Sequence, residues 1–234
     1  MYQWMKNKLS NEPLRHAFVK QELAAIPAST LLLDAGCGSQ QYRVHCGHLQ
    51  YRAQDFGQYT ADISKGFTSE LGGEDGYQYG KLDYTGDVWN IDERASTFDA
   101  ILCTEVFEHI PYPTETIREF SRLIKPGGRL ILTLPSNCLR HMDPYFFYSG
   151  FTNRYLEKFL TESGFRIDRM EPVGDYYSWI AAELGRTMKT HSPLVSLFLA
   201  PALLWYMMKR KTFVSTNTLC MGYHVVATKI TPQT

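Results

Sequence analysis

The chain has 234 residues, enough for one domain with a sizeable core. Its 24 Lys and Arg balance 24 Asp and Glu, and a zero net charge argues against a nucleic-acid partner, which calls for a basic surface. The five cysteines (37, 46, 103, 138 and 220) contain no C-x-x-C pair and no H-x-x-x-H run occurs, so neither a metal centre nor a disulfide framework is expected.

Met1–Lys6 is not followed by an apolar run, so no secretory leader is expected, and reduced thiols fit the cytoplasm. Residues 1–27 read as helical, with Leu14, Ala17, Phe18, Gln21 and Leu23 near helical spacing and Pro27 closing the segment. Leu31–Leu33 is a short apolar run suited to a buried strand. Tyr51–Asp55 is a weaker strand ending in an acid, and 56–76 reads as loop. Tyr77–Leu82 is expected to form a third, peripheral strand. Phe98–Cys103 is a buried strand, and Thr114–Ile124 is an amphipathic helix stopped by Pro126-Gly127-Gly128. Arg129–Leu134, Phe165–Met170 and Gly222–Ile230 complete the strands, with a helix over Asn153–Ser163.

Strands alternating with helices predict a doubly wound, mainly parallel α/β sheet covered on both faces. Ligands of such sheets bind outside the C-terminal strand ends. Asp34, Asp55 and Thr104-Glu105 all fall there. The turn Asp34-Ala35-Gly36-Cys37-Gly38 is unsuited to phosphate, because a carboxylate repels an anion. It suits a cationic, phosphate-free ligand such as S-adenosylmethionine, with glycine leaving room for the ligand. A bland reading remains for each acid: Asp34 as a helix cap and Asp55 as a turn acid.

Four blocks carry a family resemblance: Leu33-Asp34-Ala35-Gly36-Cys37-Gly38, Asp83-Tyr84-Thr85-Gly86-Asp87-Val88, Phe98 through Ile110, and Glu119 through Gly128. In this order and spacing the chain resembles class I S-adenosylmethionine-dependent methyltransferases over roughly residues 30–170. The resemblance implies a Rossmann-like, seven-stranded sheet with an antiparallel last strand. With no internal repeat and no low-complexity linker, one domain is expected: an N-terminal helical segment (1–28), a cofactor-binding core (29–170), a helical insertion or lid (171–221), and a last strand with tail (222–234).

It also implies S-adenosyl-L-methionine as cofactor. Asp34, Gly36, Cys37 and Gly38 would lie near its methionine moiety, and Asp55 would accept from the ribose hydroxyls. Phe56, Asp87 and Val88 would meet the adenine, with Asp83 a rival to Asp87. Cys103 and Thr104 would lie near the sulfonium. Gln40 stands where the family often has a third glycine. Asp99 reads as structural.

Methyl transfer to a hydroxyl needs a proton acceptor, and His109 and His141 both stand at the expected mouth. Asp143 could orient His141 or join Tyr145 and Tyr148 in binding the acceptor. The aromatic stretch 141–155 fits rings, either sugars or quinones. The expected function is methylation of a small molecule or sugar at oxygen, with polysaccharide or lipid-linked glycan as one subclass. A quinone or lipid-like ring is the second reading, and a non-catalytic cofactor-binding regulator the third. A nicotinamide enzyme would want glycine where Gln41 stands. The apolar run 194–208 and Lys209-Arg210-Lys211 leave three readings open: a lid, a homodimer helix, or peripheral contact with the inner face of a membrane through residues 194–211.

Overall fold

The structure is a computed structural model that describes residues 9–59 and 79–230. Its strands are β1 (Leu31–Ala35), β2 (Gln50–Asp55), β3 (Tyr84–Thr85), β4 (Phe98–Thr104), β5 (Ile124–Pro135), β6 (Phe165–Val173) and β7 (Gly222–Lys229). Its helices are α1 (Glu12–Ala24), α2 (Pro113–Leu123), α3 (Asn153–Glu162), α4 (Tyr176–Thr190), α5 (Pro193–Met208) and α6 (Phe213–Thr218). The strands form a seven-stranded sheet in the order β3-β2-β1-β4-β5-β7-β6. All pairs from β3 to β5 are parallel, and β7 runs antiparallel to both β5 and β6. The doubly wound sheet with a reversed last strand is therefore as expected.

Side chains alternate across the sheet. Leu33, Ile101, Cys103, Leu130, Leu132 and Val225 face one side, where Phe120 and Leu123 of α2 and Leu156 and Leu160 of α3 pack. Leu32, Ala100, Leu102, Ile131 and Val226 face the other, under Phe18, Val19 and Leu23 of α1. Burial of both faces explains why these strands read as nearly continuous apolar runs. The buried carboxylate of Glu22 on α1 is held between Arg129 of β5 and Arg169 of β6.

Two expectations need correction. The third strand is Tyr84–Thr85, not Tyr77–Leu82, of which 77 and 78 lie outside the described residues. The Gln40 amide donates to the Lys81 carbonyl, and the chain joins β2 only at Asp83. There the Asp83 backbone N–H donates to the Ala53 carbonyl, and its carboxylate accepts from the Ala53 N–H. The Pro126-Gly127-Gly128 stop lies in a bulge within β5 rather than before it, because Phe98 pairs with Ile124 and Ala100 with Arg129. Of the expected loop 56–76, residues 60–76 lie outside the described residues.

Beyond β6 the chain enters the helical insertion. Buried Asp175 opens α4: one carboxylate oxygen accepts from the Ser178 N–H (2.9 Å), the other from the Ser215 hydroxyl of α6 (2.7 Å). One acid thus caps a helix and pins a second one to it. Among the described residues, no helix is long and apolar enough to cross a membrane.

Candidate active site

The C-terminal ends of β1, β2 and β4 converge on a cavity of about 1180 Å³. Gly36, Cys37 and Gly38 form its floor, and their backbone N–H groups are already committed. Gly36 donates to the Gln54 carbonyl (2.9 Å) and to its side-chain Oε1 (3.1 Å). Cys37 donates to the same carbonyl (2.9 Å). Gly38 donates to Asp55 Oδ2 (2.9 Å). A phosphate site needs such N–H groups aimed at the ligand, so this turn is closed to phosphate. Gly36 has φ +69°, and a Cβ there would lie 2.4 Å from Val106. The space glycine leaves is therefore filled by Val106, and the expectation that it makes room for a ligand is corrected.

Asp55 is 5% exposed and lines the cavity. Its second oxygen accepts from the Gly57 N–H (3.1 Å). Burial raises its pKa, against the three backbone N–H groups of Gly57, Gly38 and Phe56 that favour the anion. Phe56, Asp87, Val88 and Thr104 also line the cavity. Asp87 stands in the wall, while its rival Asp83 is occupied with Ala53. Gln54 joins both sides, for its amide also donates to the Gly86 carbonyl (2.7 Å) beside Asp87.

Four predicted site residues lie outside the cavity lining. Asp34 is buried and accepts a hydrogen bond from the Tyr51 hydroxyl (2.7 Å). Burial raises its pKa to about 7, opposed by the Tyr51 hydrogen bond and aided by the charge of Asp55. Cys103 is fully buried in the core. Asp143 pairs with Arg140 (2.6 Å) and not with His141, because Arg140 is its neighbour on the exposed turn. Tyr148 donates to the Pro111 carbonyl (3.1 Å). Gln40, also outside, holds Lys81 and Arg43. Asp99 accepts from the Leu31 N–H (3.0 Å) and pairs with Lys125, a structural position.

His109, His141 and Tyr145 also line the cavity. The two imidazoles meet edge to face, centroids 4.6 Å apart, and Phe56 meets Tyr145 at 4.9 Å. His109 Nδ1 lies 2.6 Å from the Tyr145 carbonyl. A carbonyl only accepts, so Nδ1 carries the proton and Nε2 is the basic nitrogen. Burial, then the proximity of His141, lowers the His109 pKa to about 4 despite the Tyr145 bond. His141 Nδ1 is likewise placed on the Leu139 carbonyl (2.8 Å). Beneath them Glu108 is buried with Oε2 unpartnered. Burial and then the charge of Glu105 push its carboxyl well above the usual carboxylate range. Glu108, His109 and His141 bring donor atoms within 4.8 Å of one another, a juxtaposition that chain spacing does not reveal.

Reading the sequence missed further lining residues. Arg15 of α1 reaches Glu105 (3.1 Å), and Trp179, Glu183 and Arg186 come from α4. Helix packing places these side chains, and no motif announces them. Gln54 did carry a signal, as a buried amide one residue before Asp55 at the strand end.

A family model described as a methyltransferase domain matches residues 7–170. The chain belongs to this methyltransferase family. The resemblance to class I S-adenosylmethionine-dependent enzymes, and the cofactor it implies, agree with that membership. A ubiquinone biosynthesis O-methyltransferase of Xanthomonas axonopodis pathovar citri is 32% identical over 123 residues, 52% of this chain and 48% of that protein. The chain thus matches about half the length of this curated relative. The YcgJ protein from Bacillus subtilis shares the fold with a TM-score of 0.56 at 14% identity, over 92% of this chain and 99% of that one. A Haemonchus contortus phosphoethanolamine N-methyltransferase, solved with S-adenosyl-L-methionine, does so with a TM-score of 0.55 at 15% identity, over 94% and 53%.

Proposed function

We propose that this methyltransferase moves a methyl group from S-adenosylmethionine to an oxygen on a small molecule bearing a phenolic or lipid-like ring. One observation carries the reading: a single cavity holds a braced carboxylate, Asp55, and a neutral imidazole, His109, whose Nδ1 is fixed by a carbonyl. Asp55 accepts from the Gly38 N–H on one oxygen and the Gly57 N–H on the other, with the Phe56 N–H also favouring the anion, and acceptor capacity remains for the ribose hydroxyls. The turn with no amide to offer suits a ligand whose charge is positive. Asp87, Val88 and Phe56 sit where the adenine would lie. Asp34, set back from the wall, contributes its field and not contact.

The bound cofactor supplies an activated methyl group with a good leaving group. The protein must hold the acceptor oxygen in line with it, which can supply about 7–11 kcal/mol. His109 Nε2 takes the hydroxyl proton, with His141 as its neighbour, for about 10²–10⁴-fold in rate. Tyr145, edge to face with Phe56 of the adenine side, offers a ring for the acceptor. The name of the Xanthomonas relative supports a ring acceptor over the glycan subclass.

The test is incubation with S-adenosylmethionine and a panel of prenylated ortho-hydroxyphenols, simple catechols and glycan acceptors, read by mass spectrometry. Methyl transfer to the phenols is expected. Transfer to glycans alone would overturn the acceptor class. Binding of S-adenosylhomocysteine without transfer to any acceptor would favour the non-catalytic reading.

A further inference from the structure

Helix α5 is apolar all round. Its 16 residues, Pro193–Met208, contain no charged side chain. Such a helix is normally buried, yet only Met207 is. Its inner face rests on α4, with the Ser196 hydroxyl donating to the Met188 carbonyl (3.1 Å) and Tyr206 meeting Tyr177 at 6.3 Å. Its outer face is a continuous stripe at helical spacing: Leu194, Leu197, Phe198, Leu204, Trp205 and Met208, all exposed, with Phe198 at 82%. At the start of α6, Phe213 and Val214 are exposed as well.

The charge around this stripe is one-sided. The whole chain is neutral, but between Glu183 and the start of β7 it contains no Asp or Glu and five Lys or Arg. Three of those, Lys209-Arg210-Lys211, follow α5 directly. Lys209 Nζ stands 3.9 Å from the Trp205 ring centre, so a cation and an indole sit together at the end of the apolar stripe. A wet-sided apolar surface ending in Trp and cations matches an interface with hydrocarbon on one side and anionic headgroups at its edge.

From this we infer that α5 is a monotopic docking helix for an anionic lipid bilayer. It lies in the interface plane with its outer stripe among the acyl chains, while Lys209 and Arg210 meet the headgroups. α4, on which α5 rests, also contributes Trp179, Ala182 and Arg186 to the cavity lining. Docking therefore sets that cavity beside the bilayer, where an apolar acceptor is concentrated. The docking surface does not depend on the methyl-transfer reading, and its assay needs no turnover.

The experiment is co-sedimentation of the full chain with vesicles of phosphatidylcholine alone or with phosphatidylglycerol added, at low and high salt. Strong binding is expected to the mixed vesicles, falling with salt. Phe198→Glu should abolish it. Lys209→Gln with Arg210→Gln should weaken it by about fivefold per cation, while leaving little effect on neutral vesicles. All three side chains are at the surface, so thermal melts should show that the variants keep their fold. The inference is overturned if wild type stays in the supernatant with both vesicle types, or if Phe198→Glu binds as well as wild type. It is also overturned if the chain is a dimer in solution that Phe198→Glu splits while vesicle binding is absent.

Discussion

The strand ends of β1 and β2 and the helical insertion after β6 are built on opposite terms. At the strand ends the turn amides are committed, Gly36 is closed by Val106, and Asp55 is braced by two glycine N–H groups. In the insertion, α5 leaves half of its side chains exposed, buries only Met207, and packs on α4. The first region is set by internal bonding and has little freedom to change. The second carries apolar area that no described residue covers. An enzyme that needs a fixed donor site and an adaptable route for the acceptor gains from this division.

Four measurements would break or sharpen the contrast. With His109 proposed as the proton acceptor in the cavity wall, His109→Ala should lower kcat about 10²–10⁴-fold while leaving S-adenosylhomocysteine affinity unchanged. His141→Ala should slow turnover less; an equal or greater loss would exchange the two roles. Next comes a pair of truncations. Leu102→Ala, fully buried between β1 and β5, should cost about 2–5 kcal/mol in denaturant unfolding. Phe198→Ser should shift stability by less than about 0.5 kcal/mol. Equal costs would erase the distinction between the two regions.

Asp55→Asn should weaken S-adenosylhomocysteine binding roughly tenfold to a hundredfold by calorimetric titration, as a charged hydrogen-bond acceptor is lost. It should also cost some stability, because the amide cannot accept from Gly38 and Gly57 as the anion does. Unchanged affinity in a folded variant would remove Asp55 from the site.

A further effect concerns pH. Asp34 rises to about 7 in the folded state from an ordinary 3.8, so the native protein binds the proton more tightly than the unfolded chain does. Its stabilising contribution is complete below about pH 4 and is lost as pH rises toward and through 7. Asp34→Asn should therefore gain in thermal midpoint relative to wild type between pH 4 and 8, with the gap levelling above 7. His109 and His224, both lowered to about 4 by burial, act in the other direction: they cost stability as pH falls from 6.5 to 4. A gap that does not grow with pH would show that Asp34 titrates normally.

Much of the first region was legible in the chain. Leu31–Leu33 and Phe98–Cys103 are apolar runs of strand length, and an acid or polar residue follows each where a parallel sheet ends. Those local patterns place Asp34, Asp55 and Thr104 at one edge whatever the details of packing. They do not say where a side chain turns. Asp34 turns to Tyr51, and Asp143 turns to Arg140, because each finds a nearer partner. The third strand was misplaced because side-chain bonds from Gln40 and Asp83, not β propensity, decide where the chain meets β2.

From its residues alone this protein is a doubly wound α/β methyltransferase with an acid-lined, phosphate-averse turn, because short-range pattern governs strands, caps and turns. Only the tertiary structure decides that His109, His141 and Glu108 meet, that Arg15 reaches Glu105, and that the apolar face of α5 stays outside. Those contacts join segments far apart in the chain, and their partners are chosen by packing, which no local spacing encodes.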